Sequence, residues 1–257
     1  GKLPQKEKGS LEIIECKTIE EKRRHGLERL ASGFRTFSHF GFDEGVAGHI
    51  TFRDPEFEHH FWVNPFGMHF GQICVSDLVL VDRNGEVVIG DRPVNTAAFA
   101  IHSRLHEARP DVNAAAHSHS MYGKSFSSMG RKLEPITQDS CAFFDDHVLF
   151  DDFTGVVLET DEGDRIANAL GDKRAAILKN HGLLTTGETV DAAVWGFLSM
   201  DRCCQSQMIA ESVGQMERIP DETAAMTKEQ VGSELGMWVM YQPIYDLMLE
   251  KDDSFLN

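Results

Sequence analysis

Long apolar runs are missing from this sequence of 257 residues. No stretch approaches the roughly 20 uninterrupted apolar residues of a membrane span, and residues 1–26 lack the apolar core of a secretory signal. We therefore expect a cytoplasmic protein without a membrane segment.

Positive charge is also scarce. The chain has 25 Lys and Arg residues against 41 Asp and Glu residues, which gives a formal net charge of −16. A charge of this sign opposes binding to nucleic acid and to anionic membrane surfaces. The composition therefore predicts no nucleic-acid or membrane partner and favours a small-molecule substrate.

Cysteine pairs with metal-binding spacing are absent as well. The five cysteines are scattered, odd in number and without a CxxC pair, in a chain long enough to bury a core without disulfides. Cys203 and Cys204 are adjacent in a predicted helix, where neighbouring side chains diverge, so they do not suit a shared metal. We expect reduced thiols.

The sequence divides into three parts. Residues 1–17 mix Lys, Glu, Gly and Pro without periodicity, which predicts a flexible arm. Residues 18–213 form the predicted domain. Residues 214–257 open with a polar connector to about Thr227 and end in an apolar helix that packs on the domain or on a neighbouring subunit.

Helical and strand patterns interleave through residues 18–213, which predicts an α/β sandwich. The Asn84-Gly85 step is typical of a hairpin turn. Predicted helices cover residues 18–40, 95–108, 121–128, 161–170 and 188–212, and predicted strands cover 49–53, 60–64, 77–82, 112–120, 175–180 and 181–187. The acidic stretch of residues 145–152 predicts a solvated loop without a metal.

The sharpest chemical pattern is His117-Ser118-His119. Residues i and i+2 of a strand point to the same face, so both imidazoles can reach one metal ion. His181 follows a separate strand, and Gly182 would allow a tight turn that directs its imidazole inward. Three imidazoles with an open position suit Zn²⁺ or Fe²⁺, with Mn²⁺ and Co²⁺ as alternatives. The spacing alone also permits three ordinary histidines.

Longer motifs resemble the class II aldolase/adducin family, over about residues 19–210. The motifs are RPDVNAAAHSHSMYG (109–123), KNHGLLTTG (179–187), ETVDAAVWGF (188–197), EGVAGHITFR (44–53) and VNPFG (63–67). The resemblance implies a three-layer αβα sandwich with a mixed, largely antiparallel sheet, and a homo-oligomer, with a tetramer favoured. It also implies that His117, His119 and His181 hold one divalent metal ion per subunit.

The chain departs from the sugar-phosphate aldolases of this family at two places. Their acid/base Glu corresponds to Ala98, which cannot transfer protons. Their phosphate is held by small hydroxyl and amide side chains, whereas this chain has Val46 and His49 in the Gly-rich loop and keeps Thr96 but not the next hydroxyl, at Ala97. We therefore expect a substrate without phosphate.

The expected substrate contacts lie around an apolar mouth formed by residues 66–70. Phe66, Gly67 and His69, together with His49 and Thr96, are the candidate substrate-binding residues. The alternative is that the phenylalanines of this stretch are core residues and that each histidine is structural.

A replacement acid/base is needed if Ala98 stands at the Glu position. Asp139 corresponds to a segment that approaches the neighbouring subunit's site in the aldolases, and Tyr122 follows the histidine pair. Proton transfer would fall to Asp139, to Tyr122 or to a metal-bound hydroxide. Asp139 also suits a plain turn or cap residue.

Three functions fit these residues. The first is a metal-dependent lyase, an aldolase or decarboxylase, on a non-phosphorylated oxo or hydroxy compound. The second is a mononuclear Fe²⁺ oxygenase on an aromatic oxo or hydroxy acid, which resembles a branch of the fold in aminocoumarin antibiotic pathways. The third is an adducin-like binding protein, which ranks last because the adducins lose the metal histidines that this chain keeps.

Overall fold

The computed structural model describes residues 3–257. Within that range, eight strands form one sheet in the order β4-β3-β2-β1-β5-β8-β7-β6. The strands are β1 (His49–Arg53), β2 (Phe61–Val63), β3 (Val79–Val81), β4 (Val87–Ile89), β5 (Ala114–Ser118), β6 (His147–Phe150), β7 (Ala175–Leu178) and β8 (Gly182–Gly187). Only β6 and β7 pair in parallel, and the other neighbours are antiparallel. The predicted mixed, largely antiparallel sheet is confirmed.

Seven α-helices lie in the same described range. They are α1 (Ile19–His39), α2 (Thr96–Ala108), α3 (Met121–Ser127), α4 (Thr160–Leu170), α5 (Val190–Val213), α6 (Asp221–Val231) and α7 (Glu234–Lys251). Side-chain caps start several of them: the oxygens of Thr18, Asn95 and Thr189 accept backbone N–H groups in the first turns of α1, α2 and α5. None of these helices combines the length and the apolar character needed to cross a bilayer.

The central strands bury both faces of the sheet. Successive residues of a strand point to opposite faces, and along β7 Ala175 and Ile177 join the core beneath α1, α5 and α7, while Ala176 and Leu178 join the core beneath α2 and α4. Helices therefore cover both sides, and the αβα sandwich is confirmed.

The C-terminal segment differs from its prediction. The polar stretch expected to be a connector to about Thr227 contains α6, which begins directly after Pro220. Proline fits the start of a helix because its missing N–H has no intrahelical partner there, and Asp221 and Glu222 in the first turn interact favourably with the helix dipole. The prediction treated Pro220 as a breaker, although it precedes a helix.

Helix α7 packs on the domain itself, against α1 and α5. Arg29 of α1 donates to Asp191 of α5 at 2.8 Å, and Gln242 of α7 donates to the same carboxylate at 2.7 Å. All three side chains are buried. This charged group therefore ties the three helices together inside the core.

The described part of the N-terminal arm contains no helix or strand, and it contacts α1 and α7. Lys6 lies 2.6 Å from Asp246, and the hydroxyl of Tyr245 donates to Gln5 at 2.7 Å. Residues 1 and 2 of the predicted arm lie outside the described residues. The flexibility of the arm and the domain boundaries at 17 and 213 stay predictions.

The acidic stretch near residue 150 also differs from its prediction as a loop. Strand β6 lies inside it, flanked by Asp146 and Asp151. His147 and Phe150 of this strand are buried, so the segment is a short strand at the edge of the sheet. The acidic residues on either side of it made the sequence resemble a loop. Asp146 accepts the backbone N–H of Arg174, which gives it a structural role.

Candidate metal centre

Three elements bring His117, His119 and His181 together. His117 lies on β5, His119 lies just beyond its end, and His181 is in the short loop between β7 and β8. Their ligand atoms lie within 4.8 Å of one another, and the ring centroids are 4.6–5.2 Å apart. The three imidazoles predicted from the sequence therefore form one cluster.

The loop that carries His181 is shaped by Asn180. Leu178 pairs with Gly182, so three residues close this hairpin, and Asn180 has a φ of 60°. Asparagine tolerates this left-handed conformation better than most residues. The sequence prediction assigned the turn to Gly182. Gly182 serves a different purpose, because a Cβ there would lie 2.8 Å from the Ser118 carbonyl oxygen.

One hydrogen bond orients the His117 imidazole, and another holds the backbone of His181. The Nδ1–H of His117 donates to the carbonyl of Leu183 at 2.7 Å, which leaves Nε2 free for a metal. Ser127, at the end of α3, accepts the backbone N–H of His181 through its hydroxyl at 3.2 Å. The cluster is therefore held by β8 and α3 as well as by its own strands.

Burial keeps these histidines neutral. It lowers the pKa of His117 well below its ordinary value, and neighbouring imidazoles lower it further. Burial and then the adjacent His119 lower the pKa of His181 to about 4, and burial lowers the pKa of His119. Neutral imidazole is the form that binds a metal, so this donor set fits one divalent ion such as Zn²⁺ or Fe²⁺.

The cluster opens into a cavity of about 610 Å³, which we call the histidine cavity. Among the described residues that line it, Lys124 is the only Lys, Arg, Asp or Glu, and its Nζ lies 3.5 Å from Glu44, which is outside the lining. Its apolar wall consists of Val46, Ala47, Ala97, Ile101, Phe153, Val156 and Val157. A ligand here meets one cation, a set of imidazoles, the polar side chains of Asn95, Ser128 and Asn180, and an apolar surface.

One predicted substrate contact lines this cavity, and four do not. His49 is in the lining. Phe66, Gly67 and His69 lie outside it on the surface, where the Nε2 of His69 is 3.1 Å from Asp43, and Thr96 is exposed in the first turn of α2. The substrate roles of these residues stay predictions.

The two candidate proton-transfer residues lie outside the lining as well. Asp139 is exposed beside a separate cavity near Trp195 and Arg202, and Tyr122 is exposed on α3. Their roles in proton transfer stay predictions.

Helix α2 contributes no carboxylate to the cavity. Ala98 is fully buried against Phe61 and Val79 in the core, and the residues of α2 that line the cavity are Ala97 and Ile101. The absence of a catalytic carboxylate on α2 therefore does not depend on which alanine is matched to the aldolase Glu.

Lys124 and the segment around Phe153 are absent from the sequence-based site. Lys124 lies in the second turn of α3, and long helical side chains point toward the helix N-terminus, here toward His119. The position of Lys124 five residues after His119, at the start of a predicted helix, could therefore have identified it from the sequence. Residues 153–157 have no periodicity, and only the fold brings them to the cavity.

Comparisons with known proteins agree with this geometry. Residues 28–208 match the family model described as the class II aldolase and adducin N-terminal domain. The chain belongs to the class II aldolase/adducin family. This assignment covers the sheet, the histidine cluster and most of α5.

Three relatives of this class II aldolase/adducin chain are informative. The decarboxylase NovR of Streptomyces niveus is 48% identical over 91% of this chain and 88% of its own length. A protein of Streptomyces roseochromogenus named 4-hydroxy-3-prenylphenylpyruvate oxygenase/4-hydroxy-3-prenylbenzoate synthase is 48% identical over 91% and 86%. A structure named L-fuculose 1-phosphate aldolase from Glaciozyma antarctica superposes with a TM-score of 0.88 at 44% identity, over 93% of this chain and 94% of that one.

Replacing His119 with alanine should weaken metal binding by about 100-fold or more, because two imidazoles cannot hold the ion as three do. The measurement is calorimetric titration of metal-free protein with Zn²⁺. His69→Ala, which removes an exposed imidazole outside the cavity, is the matched control and should bind like the wild type. Unchanged affinity in His119→Ala would exclude this site.

The metal-free protein should lose stability as the pH falls from 7 to 5. In the folded protein His181 stays unprotonated down to about pH 4, whereas a histidine in the unfolded chain is protonated below about pH 6.5. The unfolded state therefore binds more protons in this window, which lowers the free energy of unfolding by about 2 kcal/mol for this residue. Urea unfolding of the wild type and of His181→Gln should show a shallower pH dependence in the variant, and equal slopes would contradict the shift.

Proposed function

We propose that this chain is a metal-dependent enzyme that breaks a carbon–carbon bond in a non-phosphorylated aromatic oxo or hydroxy acid and releases its carboxyl group as CO₂. The observation that carries the proposal is the histidine cavity, where a three-imidazole cluster, one lysine and an apolar wall meet. The name of one relative, a decarboxylase, supports the same reaction class.

Three parts of the histidine cavity would each bind a different part of the substrate. A divalent ion on the three imidazoles would polarise a carbonyl or hydroxyl oxygen and stabilise the negative charge left after cleavage. Lys124 orients the carboxylate through its ammonium group. Phe153, Val156 and Ile101 contact the aromatic ring and keep water from the reacting bond.

A phosphate ester fits this cavity poorly. A doubly charged phosphate needs several charged donors, whereas the described lining offers one lysine, which already pairs with Glu44, and places Val46 in the Gly-rich loop. The relative named for fuculose phosphate shares the fold at 44% identity. Substrate preference depends on these few lining residues and not on the fold.

The described lining contains no carboxylate, so proton transfer would fall to a metal-bound hydroxide or to a side chain outside the lining. We propose that the chain forms a homotetramer in which Asp139 or Tyr122 of one subunit approaches the histidine cavity of another. Both residues are exposed on their own chain, so a neighbouring subunit has access to them.

An Fe²⁺ oxygenase is the second candidate. Its support is the relative whose name includes both an oxygenase and a benzoate synthase activity. The histidine cluster leaves metal positions open for more than one ligand, and a reaction with O₂ has less need of the carboxylate that α2 lacks. Both candidates release CO₂, and oxygen consumption separates them.

The assay that tests the proposal uses protein loaded under nitrogen with Fe²⁺ or Zn²⁺ and supplied with 4-hydroxyphenylpyruvate or mandelate. We expect CO₂ release that is lost in His119→Ala. Oxygen uptake in step with CO₂ selects the oxygenase, and CO₂ without uptake selects the lyase. Cleavage of fuculose 1-phosphate without CO₂ from either acid would overturn the proposal.

Lys124→Met removes the charge and keeps much of the length of the side chain. Losing one charge-assisted contact costs about 1.4 kcal/mol or more, so we expect KM for the aryl acid to rise about tenfold. Lys173→Met, at a lysine outside the cavity that pairs with Asp145, is the matched control. An unchanged KM in Lys124→Met would show that the ammonium does not contact the substrate.

A further inference from the structure

A chain of buried hydrogen bonds runs from the histidine cavity into the layer between β1 and α2. The Nδ1 of His49 lies 2.6 Å from the Nε2 of His102, and the Nδ1 of His102 lies 2.6 Å from the hydroxyl of Thr51. That hydroxyl lies 2.8 Å from the Nε2 of His106, whose Nδ1 is 3.1 Å from the carbonyl oxygen of Val112.

Regular secondary structure builds this chain. His49 and Thr51 are two residues apart on β1 and point to the same face, while His102 and His106 are four apart on α2 and lie one turn from each other. Side chains from β1 and from α2 therefore alternate along the hydrogen-bond chain. None of the four is more than 5% exposed.

The three histidines of this hydrogen-bond chain are neutral. Burial lowers the pKa of His49 and of His102 well below the ordinary value, and burial followed by the Arg53 guanidinium lowers the pKa of His106 to about 3. None of the described groups that act on these pKa values is a carboxylate. Each ring therefore has one N–H donor and one bare acceptor nitrogen.

The carbonyl of Val112 fixes the direction of every bond, because a carbonyl only accepts. The Nδ1 of His106 must donate to it, so the Nε2 of His106 accepts from the Thr51 hydroxyl. The Thr51 oxygen then accepts from the Nδ1–H of His102. The Nε2 of His102 is left to accept the Nδ1–H of His49.

We infer that this chain holds His49 in the tautomer with a bare Nε2, and that this nitrogen accepts a hydrogen bond from a hydroxyl group of the ligand in the histidine cavity. His49 lines the cavity, and the hydrogen bond that its ring makes to a described residue runs through Nδ1 and leaves Nε2 available. His49 is also not part of the three-histidine cluster, although its ring lies 5.1 Å from that of His117.

The inference narrows the substrate class. A bare nitrogen attracts an O–H group and repels the oxygen of a carbonyl or carboxylate. The position therefore selects a hydroxy acid, or the enol form of an oxo acid, over the analogue without a hydroxyl. The ligand half of the inference rests on the proposed function, whereas the tautomer of His49 does not. His49 acts as a substrate-positioning residue, and Thr51 positions it through His102.

Thr51 is the link to test, because valine has the same shape without the hydroxyl. In Thr51→Val the Nδ1 of His102 loses its acceptor, so His102 can place its proton on Nε2 and donate to His49. His49 would then carry its proton on Nε2. Thr51→Ser keeps the hydroxyl and is the matched control.

The experiment is long-range ¹⁵N–¹H NMR of the full, metal-free chain labelled at histidine, with the His49 signals assigned by their loss in His49→Asn. We expect a bare Nε2 on His49 in the wild type and in Thr51→Ser, and a protonated Nε2 in a large share of Thr51→Val. A protonated Nε2 in the wild type overturns the inference whether or not the variants fold. If the tautomer of His49 is unchanged in folded Thr51→Val, the hydrogen-bond chain does not determine it.

Calorimetry on the zinc-loaded proteins tests the ligand half with mandelate and with phenylacetate, which lacks the hydroxyl. We expect mandelate to bind at least tenfold more tightly in the wild type and in Thr51→Ser, and the preference to fall below threefold in Thr51→Val, with phenylacetate affinity retained. Equal preference in all three proteins overturns hydroxyl recognition by His49. If neither acid binds while NMR shows the bare Nε2, the proposed function and the ligand half fail and the tautomer assignment stands.

Discussion

The antiparallel pairing of β5 between β1 and β8 is the constraint on which the rest of the site depends. This register places His117 opposite His49 on one side and Leu184 on the other. It also brings the loop after β7 to the end of β5, where His181 meets His119. Small residues make the pairing compact, because β5 reaches His117 through three successive alanines that fit beneath helices on both faces.

Burial at this junction has two chemical effects. It keeps the imidazoles neutral, as metal ligands must be, and it forces every buried ring to find a hydrogen-bond partner. Leu183 satisfies His117 from one side of β5, while the chain that ends on Val112 satisfies His49 from the other. The same desolvation therefore keeps the three clustered imidazoles in the form that a metal requires, and by our inference it leaves the bare Nε2 of His49 facing the cavity. Lys124 adds a cation to the lining, Asn95, Ser128 and Asn180 add neutral polar groups, and the apolar wall provides the shape.

Sequence patterns predicted the local parts of this structure well. The strand at residues 49–53 and the helix over about 18–40 were recognised because alternation and helical periodicity reflect which side chains are buried. Strand β6 was missed because its acidic flanks resemble a solvated loop, and α6 because proline is ambiguous at a helix start. The three-histidine cluster followed from spacing and resemblance. The cavity wall at residues 153–157 did not, since only tertiary packing brings that segment to the histidines.

The proposed chemistry depends on one divalent metal that binds among His117, His119 and His181. The most direct measurement is a crystal structure of protein purified without added metal, with diffraction data collected on both sides of the absorption edge of the metal found by elemental analysis. If the three imidazoles hold the metal, we expect a single anomalous peak at about 2.1 Å from one nitrogen of each imidazole. A stoichiometric metal whose peak lies elsewhere, or three imidazoles without a peak in protein saturated with Zn²⁺, would contradict it.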